Sequence, residues 1–229
     1  MSDDARSVIL GRIADALRDV PPAENAQDVA VARDYRGAGG AGDDTTADTV
    51  GRFEQRVLDY HAEVRRVAPG EVAATVGTAC RERALSRMAI PPGLDVPWRP
   101  EGVELIEDSD PGRDRHLSAR ELDRVDGAIT GCAAAIAETG TILLDGGARC
   151  GRRMLTLVPD HHICIVEAAQ ITDQVPAAIA AVAPAVLEHG MPITLVSGPS
   201  ASSDIELARV EGVHGPRHLL VVIADPAAA

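Results

Sequence analysis

Side chains that could perform acid–base chemistry and hold an anion are concentrated in the last third of the chain. They lie in three short segments, 138–141, 197–206 and 214–217, which together contain carboxylates, hydroxyls, an imidazole and a guanidinium. Apolar runs flank these segments, so we expect the polar residues at strand ends. Loops at strand ends are where α/β proteins build ligand sites. The segments therefore predict a pocket for a small anionic substrate.

The segment Glu138-Thr-Gly-Thr141 offers a candidate base. A carboxylate between apolar runs is costly to bury without partners, so Glu138 is predicted to be a general base or a substrate-orienting group. Gly140 permits a sharp turn and the close approach of a ligand, while Thr139 and Thr141 supply hydroxyls for substrate binding. A turn whose glutamate pairs with a nearby arginine explains the pattern equally well, and both interpretations stay open.

A loop rich in glycine and serine follows the apolar run at 193–196. The pattern predicts a strand, a loop and then a helix whose first backbone N–H groups would attract a carboxylate or phosphate. The residues predicted to contact that anion are Gly198, Ser200, Ser202, Ser203 and Asp204. Alternatively, Ser203 and Glu206 have capping-box spacing. Glu206 would then be structural, and Asp204 would favour the helix dipole.

The segment around His214 offers a second candidate base and a cation. Glycines near His214 on both sides favour a loop position, and an imidazole titrates near neutral pH. Arg217 could bind a carboxylate through two hydrogen bonds. The simpler alternative is an ordinary loop histidine and a surface arginine. Arg149, Arg152 and Arg153 add positive charge for an anionic substrate or partner, although a solvated surface is the usual position of an arginine.

The composition excludes several classes of function. The chain of 229 residues has no lysine, which rules out Schiff-base and P-loop lysine chemistry. Its net charge of -13 argues against nucleic acid as a partner, because phosphate binding needs a basic face. Hydrophobic residues make up 45% of the chain, but the aromatic ones are only one Phe, one Trp and two Tyr. The core must therefore consist mainly of Val, Ile, Leu and Ala.

No metal or cluster is predicted within this chain. None of the four cysteines forms a C-x-x-C pair, which argues against an iron–sulfur or zinc site. Adjacent strand residues point to opposite faces, so His161 and His162 do not suggest a shared metal. The N-terminus lacks a signal-peptide pattern and no apolar run reaches membrane-spanning length. We therefore expect a cytoplasmic protein with reduced thiols.

Apolar spacing predicts an N-terminal helix and flexible linker over 1–46 and an α/β domain over 47–229. Short apolar strands alternate with helices in the domain, which predicts a layered, mostly parallel sheet. The predicted helices are 7–20, 47–67, 78–88, a short one opened by the capping box at 118–121, and 176–188 with a bend or early end at Pro184. The predicted strands are 72–76, 103–107, two within 128–144, 162–167, 192–196 and 219–223.

Five ordered motifs in the second half of the chain resemble the lactate-utilisation protein C (LutC/YkgG) family, whose domain is called the LUD domain. The motifs are GAITG at 127–131, AETGTILL at 137–144, RRMLTLVPD at 152–160, SGPSASSDIE at 197–206 and VEGVHGPR at 210–217. The resemblance is strong over about residues 118–225. It is weaker but compatible upstream, where the organisation of helix and linker is similar.

The resemblance implies an α/β fold like that of glucosamine-phosphate deaminase, ribose-5-phosphate isomerase and CoA-transferases (NagB/RpiA/CoA-transferase-like), preceded by N-terminal helices. It also implies a subunit of an L-lactate utilisation system that oxidises lactate to pyruvate, a candidate component of an L-lactate dehydrogenase complex. Iron–sulfur clusters are then expected in partner subunits, with no cofactor bound by this chain. In this reading Glu138 or His214 is the catalytic base and Arg217 holds the lactate carboxylate.

Two other functions stay open. Glu138 before Thr-Gly is loosely like the glutamate turn of some CoA-transferases, which suggests an independent enzyme of the CoA-transferase or sugar-phosphate isomerase type. The N-terminal helices and linker would also suit a non-catalytic assembly subunit. No G-x-G-x-x-G fingerprint follows a strand, so for lactate oxidation the electron acceptor is expected in the partner subunits.

Overall fold

Two helices begin the chain, as the apolar spacing predicts. The structure is a computed structural model that describes residues 3–20, 46–110, 115–203, 209–212 and 214–228. Helix α1 covers Asp3–Ala16 in a first unit of residues 1–35, and helix α2 covers Thr46–Asp59 in a second unit of residues 36–229. Nearly all of the predicted linker at 21–46 lies outside the described residues.

Helix α2 is shorter than predicted. Its apolar stripe of Val50, Phe53 and Val57 is buried, in agreement with the amphipathic pattern. The prediction that the helix continues to residue 67 is wrong. His61 has a left-handed backbone (φ 64°) that ends the helical path, and Glu63–Val67 forms strand β1, which pairs in parallel with the last strand of the chain.

The prediction for residues 72–88 is also wrong, because strand and helix are exchanged. Helix α3 covers Val72–Glu82, and strand β2 covers Arg87–Ile90. The buried face of α3 includes Val72, Val76 and Cys80, which are spaced by four residues as one face of a helix requires. A short apolar run fits strand or helix equally well until its burial is known.

The main sheet has six strands in the order β1-β14-β9-β6-β2-β3, and all of its neighbouring strands are parallel. This arrangement confirms the predicted α/β class with a mostly parallel sheet. The strands are β3 (Glu104–Glu107), β4 (Ser109–Asp110), β5 (Arg115–His116), β6 (Gly127–Thr130), β7 (Ala134–Ile136), β8 (Thr141–Leu144), β9 (His161–Glu167), β10 (Ile171–Thr172), β11 (Thr194–Val196), β12 (Ala201–Ser203), β13 (Arg209–Glu211) and β14 (His218–Ala224). Strands β3, β9 and β14 match predicted strands within two residues at each end.

A second sheet has the order β10-β7-β8-β11. The stretch 128–144 therefore contains three strands instead of two, because β6 belongs to the main sheet while β7 and β8 form an antiparallel hairpin. Helix α5 (Val175–His189) packs on this second sheet through Ala178 and Val182. Pro184 lies within the helix without ending it, and Gly190 in left-handed conformation caps its end.

Apolar side chains cover both faces of the main sheet, because successive strand residues point to opposite sides. Along β9, Cys164 and Val166 join a cluster with α2 and the second sheet. Ile163 and Ile165 join a cluster that α3 covers. The domain thus has four layers: α3, the main sheet, the second sheet with α2, and α5 on the outer face of the second sheet.

Helix α4 (Ala119–Leu122) confirms the predicted capping box. The Ser118 hydroxyl accepts a hydrogen bond from the Glu121 backbone N–H, and the Glu121 carboxylate accepts one from the Ser118 backbone N–H. Across the described ranges, no helix has the length and apolar character needed to cross a membrane.

Candidate functional site

A cavity of about 240 Å³ lies where the amino ends of β9 and β14 meet the carboxyl end of β11. Two of the predicted segments meet there, the 197–200 loop and the loop around His214. The cavity is lined by Arg153, Thr156, His162, Thr194, Leu195, Val196, Ser197, Gly198, Pro199, Ser200, His214, Gly215, Pro216 and Leu219. Gly198, Ser200 and His214 are thus brought together as the sequence predicted.

Ser200 joins the two loops. Its backbone N–H donates to the Pro216 carbonyl over 2.8 Å, and its hydroxyl oxygen accepts from the His214 backbone N–H over 3.1 Å. The next three residues form β12, which pairs antiparallel with β13. The residues directly after Ser200 thus form a strand, while the predicted helix start at 203–206 lies almost entirely outside the described residues.

One residue predicted for the anion site, Asp204, lies outside the described residues, and for two others the side chains are not described. Asp204 and Glu206 belong to an undescribed segment, so the capping-box alternative lies there too. Ser202 and Ser203 are described as backbone only, as part of β12. Gly198 has a positive φ of 96°, and a Cβ there would lie 2.7 Å from the Cβ of Tyr60. Glycine at this position allows the loop to pass close to Tyr60.

Arg153 supplies the positive charge of the cavity. It is half-buried in the 3₁₀ turn Arg153–Thr156, and its Nη1 donates to the Thr156 hydroxyl over 3.3 Å. Burial lowers the pKa of the Arg153 guanidinium, which nevertheless stays charged at neutral pH. Among the residues that the structure describes, no carboxylate pairs with it. A half-buried cation without a counter-ion is a suitable site for an anion.

The two arginines grouped with Arg153 in the sequence, Arg149 and Arg152, already pair with carboxylates. Arg152 makes a two-pronged ion pair with buried Asp108, with N–O distances of 2.7 and 2.8 Å. Arg149 lies at the carboxyl ends of the main strands. There it contacts Asp95 and Glu167 and packs 4.3 Å above the Trp98 ring. The three arginines that the sequence grouped together therefore have different roles, and Arg153 lines the cavity.

His162 is the buried imidazole of the site. Its side chain is 2% exposed, and its Nε2 lies 2.8 Å from the Thr130 hydroxyl oxygen. Burial, and next the charge of Arg153, lower the pKa of His162 to about 4. The ring is thus neutral at physiological pH. The ring of adjacent His161 stacks on His218 with ring centroids 4.4 Å apart.

A chain of three hydroxyls runs from the hairpin turn at 137–140 to the cavity. Thr139 Oγ1 lies 2.7 Å from Thr141 Oγ1, which in turn lies 2.7 Å from Ser197 Oγ. Ser197 lines the cavity, whereas Thr139 and Thr141 do not. Of the two threonines predicted to bind substrate, Thr141 is therefore one hydrogen bond away from the cavity-lining Ser197, and Thr139 is two hydrogen bonds away.

Glu138 and Gly140 lie outside the cavity. The Glu138 side chain is exposed, while its backbone N–H donates to the Asp173 carbonyl over 3.0 Å. Gly140 has a φ of 60°, as a sharp turn requires, but its close neighbour is helix α2. A Cβ at Gly140 would lie 2.7 Å from the Cβ of Arg56 and 2.8 Å from its carbonyl carbon. The tight approach predicted for a ligand is thus made by a helix.

Arg217 lies at the surface and not in the cavity. It is more than half exposed, and its Nη1 pairs with Asp160 over 3.0 Å. This is the ordinary surface arginine of the simpler sequence interpretation. The imidazole of His214 lines the cavity from an exposed loop.

The sequence prediction left Thr156, His162 and Ser197 out of the site residues, and it named Arg153 only as one of three arginines that could attract an anion. Arg153 and Thr156 belong to the motif at 152–160, and His162 lies two residues after its end, so the motif itself was the available signal. The resulting cavity combines the guanidinium of Arg153, the neutral imidazole of His162, His214 and several hydroxyls with the apolar side chains of Leu195, Val196 and Leu219. In the described ranges no three His, Cys, Asp or Glu side chains are placed to hold a metal ion.

Comparison with known proteins adds information on relatives. Residues 52–224 match the family model described as the LUD domain. A Deinococcus radiodurans protein named lactate utilization protein C is 47% identical over 181 residues, which cover 77% of this chain and 80% of the relative. The Bacillus subtilis protein of the same name is 31% identical over 138 residues, covering 58% of this chain and 55% of the relative.

A solved structure shows a similar fold. The crystal structure of a DUF162 family protein from Deinococcus radiodurans is 38% identical in sequence and superposes with a TM-score of 0.66. The match covers 78% of this chain and 98% of that chain.

Proposed function

The chain belongs to the LUD domain family, and from that premise we propose that it serves lactate utilisation by binding lactate or pyruvate in the cavity beside Arg153. In this proposal the chain is one subunit of a system that oxidises L-lactate to pyruvate. Partner subunits with iron–sulfur clusters accept the electrons, and this chain binds no cofactor of its own. The names of the relatives support the pathway, and the geometry of the cavity supports the ligand.

The observation that carries the proposal is the guanidinium of Arg153, which pairs with no carboxylate among the described residues and lies in a cavity that also contains hydroxyl groups. A guanidinium binds a carboxylate through two parallel hydrogen bonds. Since this chain has a net charge of -13, an anion approaches against a general repulsion and needs such a local cation. Arg153 thus takes the role that the sequence assigned to Arg217.

The rest of the lining suits a small molecule with one negative charge. Arg153 is the one cation among the described arginines that lines the cavity, which favours a monocarboxylate over a dicarboxylate or a phosphate ester. Leu195, Val196 and Leu219 offer contacts for a short alkyl group. The volume of about 240 Å³ lies below the usual range for drug-sized ligands, roughly 300–1,000 Å³.

His162 would hold the 2-hydroxyl group of lactate. A neutral imidazole can accept a hydrogen bond from a hydroxyl through its unprotonated nitrogen. With a pKa of about 4 the ring is a weak base at neutral pH. This weak basicity supports a subunit that binds and orients the substrate while the oxidation requires the partner subunits.

Calorimetric titration of the purified chain with L-lactate and with pyruvate tests the proposed ligand. We expect saturable binding of both monocarboxylates and much weaker binding of neutral lactamide, which has the same shape without the charge. Equal affinity for lactate and lactamide, or no binding of either acid, would contradict the assignment of the cavity.

Dye-reduction assays test the requirement for partners. We expect no lactate-dependent dye reduction by the isolated chain and robust reduction after addition of the iron–sulfur subunits. Turnover by the chain alone would overturn this part of the proposal while leaving the ligand assignment intact.

The CoA-transferase alternative has lost its main support. It requires Glu138 in a pocket where an acyl group can reach it, and Glu138 is exposed outside the cavity.

Helix α1 favours the other alternative, an assembly role. Within its unit the apolar side chains Val8, Ile9 and Ile13 are about half exposed. If α1 docks on a partner, deletion of residues 1–46 will abolish co-purification with the iron–sulfur subunits, and unchanged co-purification would remove the basis for this role.

A further inference from the structure

We propose that Thr141 is a positioning residue, which orients the hydroxyl of Ser197 so that Ser197 donates a hydrogen bond to the anion in the cavity. This inference rests on the proposed function. It assigns a role to the hairpin turn at 137–140, whose residues do not line the cavity. The turn would act on the ligand through a chain of hydroxyls, not through the Glu138 carboxylate.

The geometry is a continuous chain of short hydrogen bonds. Ser197 follows directly after β11, which pairs with β8 through Ile142 and Val196. Thr141, the first residue of β8, is 5% exposed. Its Oγ1 lies 2.7 Å from Ser197 Oγ on one side and 2.7 Å from Thr139 Oγ1 on the other. Ser197 is thus held at the cavity wall from behind.

Counting protons determines the direction of the chain when an anion is bound. Each hydroxyl has one proton to donate. If Ser197 donates to the anion, the Thr141–Ser197 contact requires Thr141 to donate to Ser197 over 2.7 Å and not to the Thr139 carbonyl, which lies 3.4 Å from the same hydroxyl. The Thr139–Thr141 contact then requires Thr139 to donate to Thr141. All three O–H groups point toward the negative charge, and hydrogen bonds arranged in such a chain strengthen one another.

Loss of the Thr141 hydroxyl would break this polarised chain at its buried centre. Valine has nearly the shape of threonine, and the pairing of β8 with β11 uses backbone groups that the substitution does not change. Ser197 would then rotate freely, and its hydrogen bond to the anion would lose both its orientation and its polarisation. Serine at 141 keeps the hydroxyl and should keep the function.

The test measures lactate affinity by calorimetry for the wild-type chain, Thr141→Val, Thr141→Ser, Ser197→Ala and the double variant Thr141→Val/Ser197→Ala. We expect affinity to fall about fivefold in Thr141→Val and in Ser197→Ala, the size of one ordinary hydrogen bond, and to stay within about twofold in Thr141→Ser. Because Thr141 acts through Ser197, the double variant should bind no more weakly than Ser197→Ala.

The outcomes separate this inference from the proposed function. Failure of the wild-type chain to bind lactate or pyruvate would overturn both. If the wild-type chain binds and Thr141→Val binds equally well, only the role of Thr141 is overturned. Multiplied losses in the double variant would likewise show that Thr141 does not act through Ser197. Thermal melting of each variant checks its fold, and Thr141→Ser keeps the test decisive if Thr141→Val is unstable.

Discussion

Arg153 and His162 both line the cavity, and the charge of Arg153 helps to keep the buried ring of His162 unprotonated. Burial is the larger cause of the low pKa of His162, and the guanidinium is the second. The pair therefore presents one positive charge and one neutral imidazole to a ligand, instead of two positive charges. This electrostatic arrangement matches one carboxylate beside one uncharged hydroxyl or keto group.

Replacement of Arg153 by glutamine should weaken lactate binding by about tenfold to a hundredfold, because a hydrogen-bonded ion pair is lost. Arg217→Gln is the matched control, since Arg217 pairs with Asp160 at the surface and does not line the cavity. We expect the control to bind within about twofold of the wild-type chain. Calorimetric titration at low salt compares the two, and a larger loss in Arg217→Gln would return the carboxylate site to the position predicted from sequence.

Stability should fall as the pH is lowered from 6.5 toward 4. His162 has a pKa of about 4 in the folded chain and an ordinary value near 6.5. Between these values the unfolded chain binds a proton that the folded chain does not. The contribution of His162 is therefore complete above pH 6.5 and declines below it, by ~3 kcal/mol in total. Burial also lowers the pKa of His161, which acts in the same direction.

Urea denaturation at pH 7, 6 and 5 measures this dependence. His162→Gln removes the titrating group and keeps a side chain that can hydrogen-bond to Thr130. The variant should be less stable at pH 7 but should lose less stability on acidification. An identical pH slope in both proteins would show that His162 is not the buried titrating group.

Gly140→Ala should destabilise the chain far more than Gly102→Ala. Both glycines have positive φ, 60° and 74°, so both alanines bear a backbone penalty of roughly 1–2 kcal/mol. A Cβ at Gly140 would also meet the backbone of Arg56, whereas nothing lies within 4 Å of a Cβ at Gly102. We expect Gly140→Ala to melt at least ~5 °C below Gly102→Ala, and equal melting temperatures would contradict the close approach of α2.

Thiol reagents should label the native chain slowly. All four cysteines are buried, and burial raises the pKa of the Cys80 and Cys150 thiols. For Cys132 the largest cause of its raised pKa is a hydrogen bond with Cys164, followed by burial. Because the thiolate is the reactive form, an Ellman assay at pH 8 should detect less than one thiol before unfolding and four after it. Rapid native labelling would show that the cysteines are accessible.

The sequence predicted the parallel character of the sheet and the positions of β3, β9 and β14, because these strands are apolar runs, whereas β1 lies and β2 begins in stretches predicted as helices. The runs at 161–167 and 218–224 carry β-branched residues and flanking turns, which distinguish them from helices. The exchange of helix and strand at 72–90 has the opposite cause. There, short runs of Val and Ala fit both periods, and packing against the sheet decided between them.

The candidate site was predicted in part. The loops around Ser200 and His214 meet, as their positions at strand ends suggested. Arg153 was harder to identify because it has two arginine neighbours in the sequence. Whether each arginine is paired depends on Asp108, Asp95 and Glu167, which are distant along the chain. In the motif of Glu138 the carboxylate is exposed outside the cavity, and the link to the cavity is the contact of Thr141 Oγ1 with Ser197 Oγ over 2.7 Å.

The cavity opens at the amino ends of β9 and β14, so a ligand bound there does not cover the carboxyl ends of these strands. At those ends two further hollows of about 490 and 520 Å³ lie beside Arg149 and Trp98. A molecule bound at the amino ends and another bound at the carboxyl ends would be separated by the length of the strands. They would not compete for the same space, so a second molecule could bind at the carboxyl ends while the first ligand stays in place.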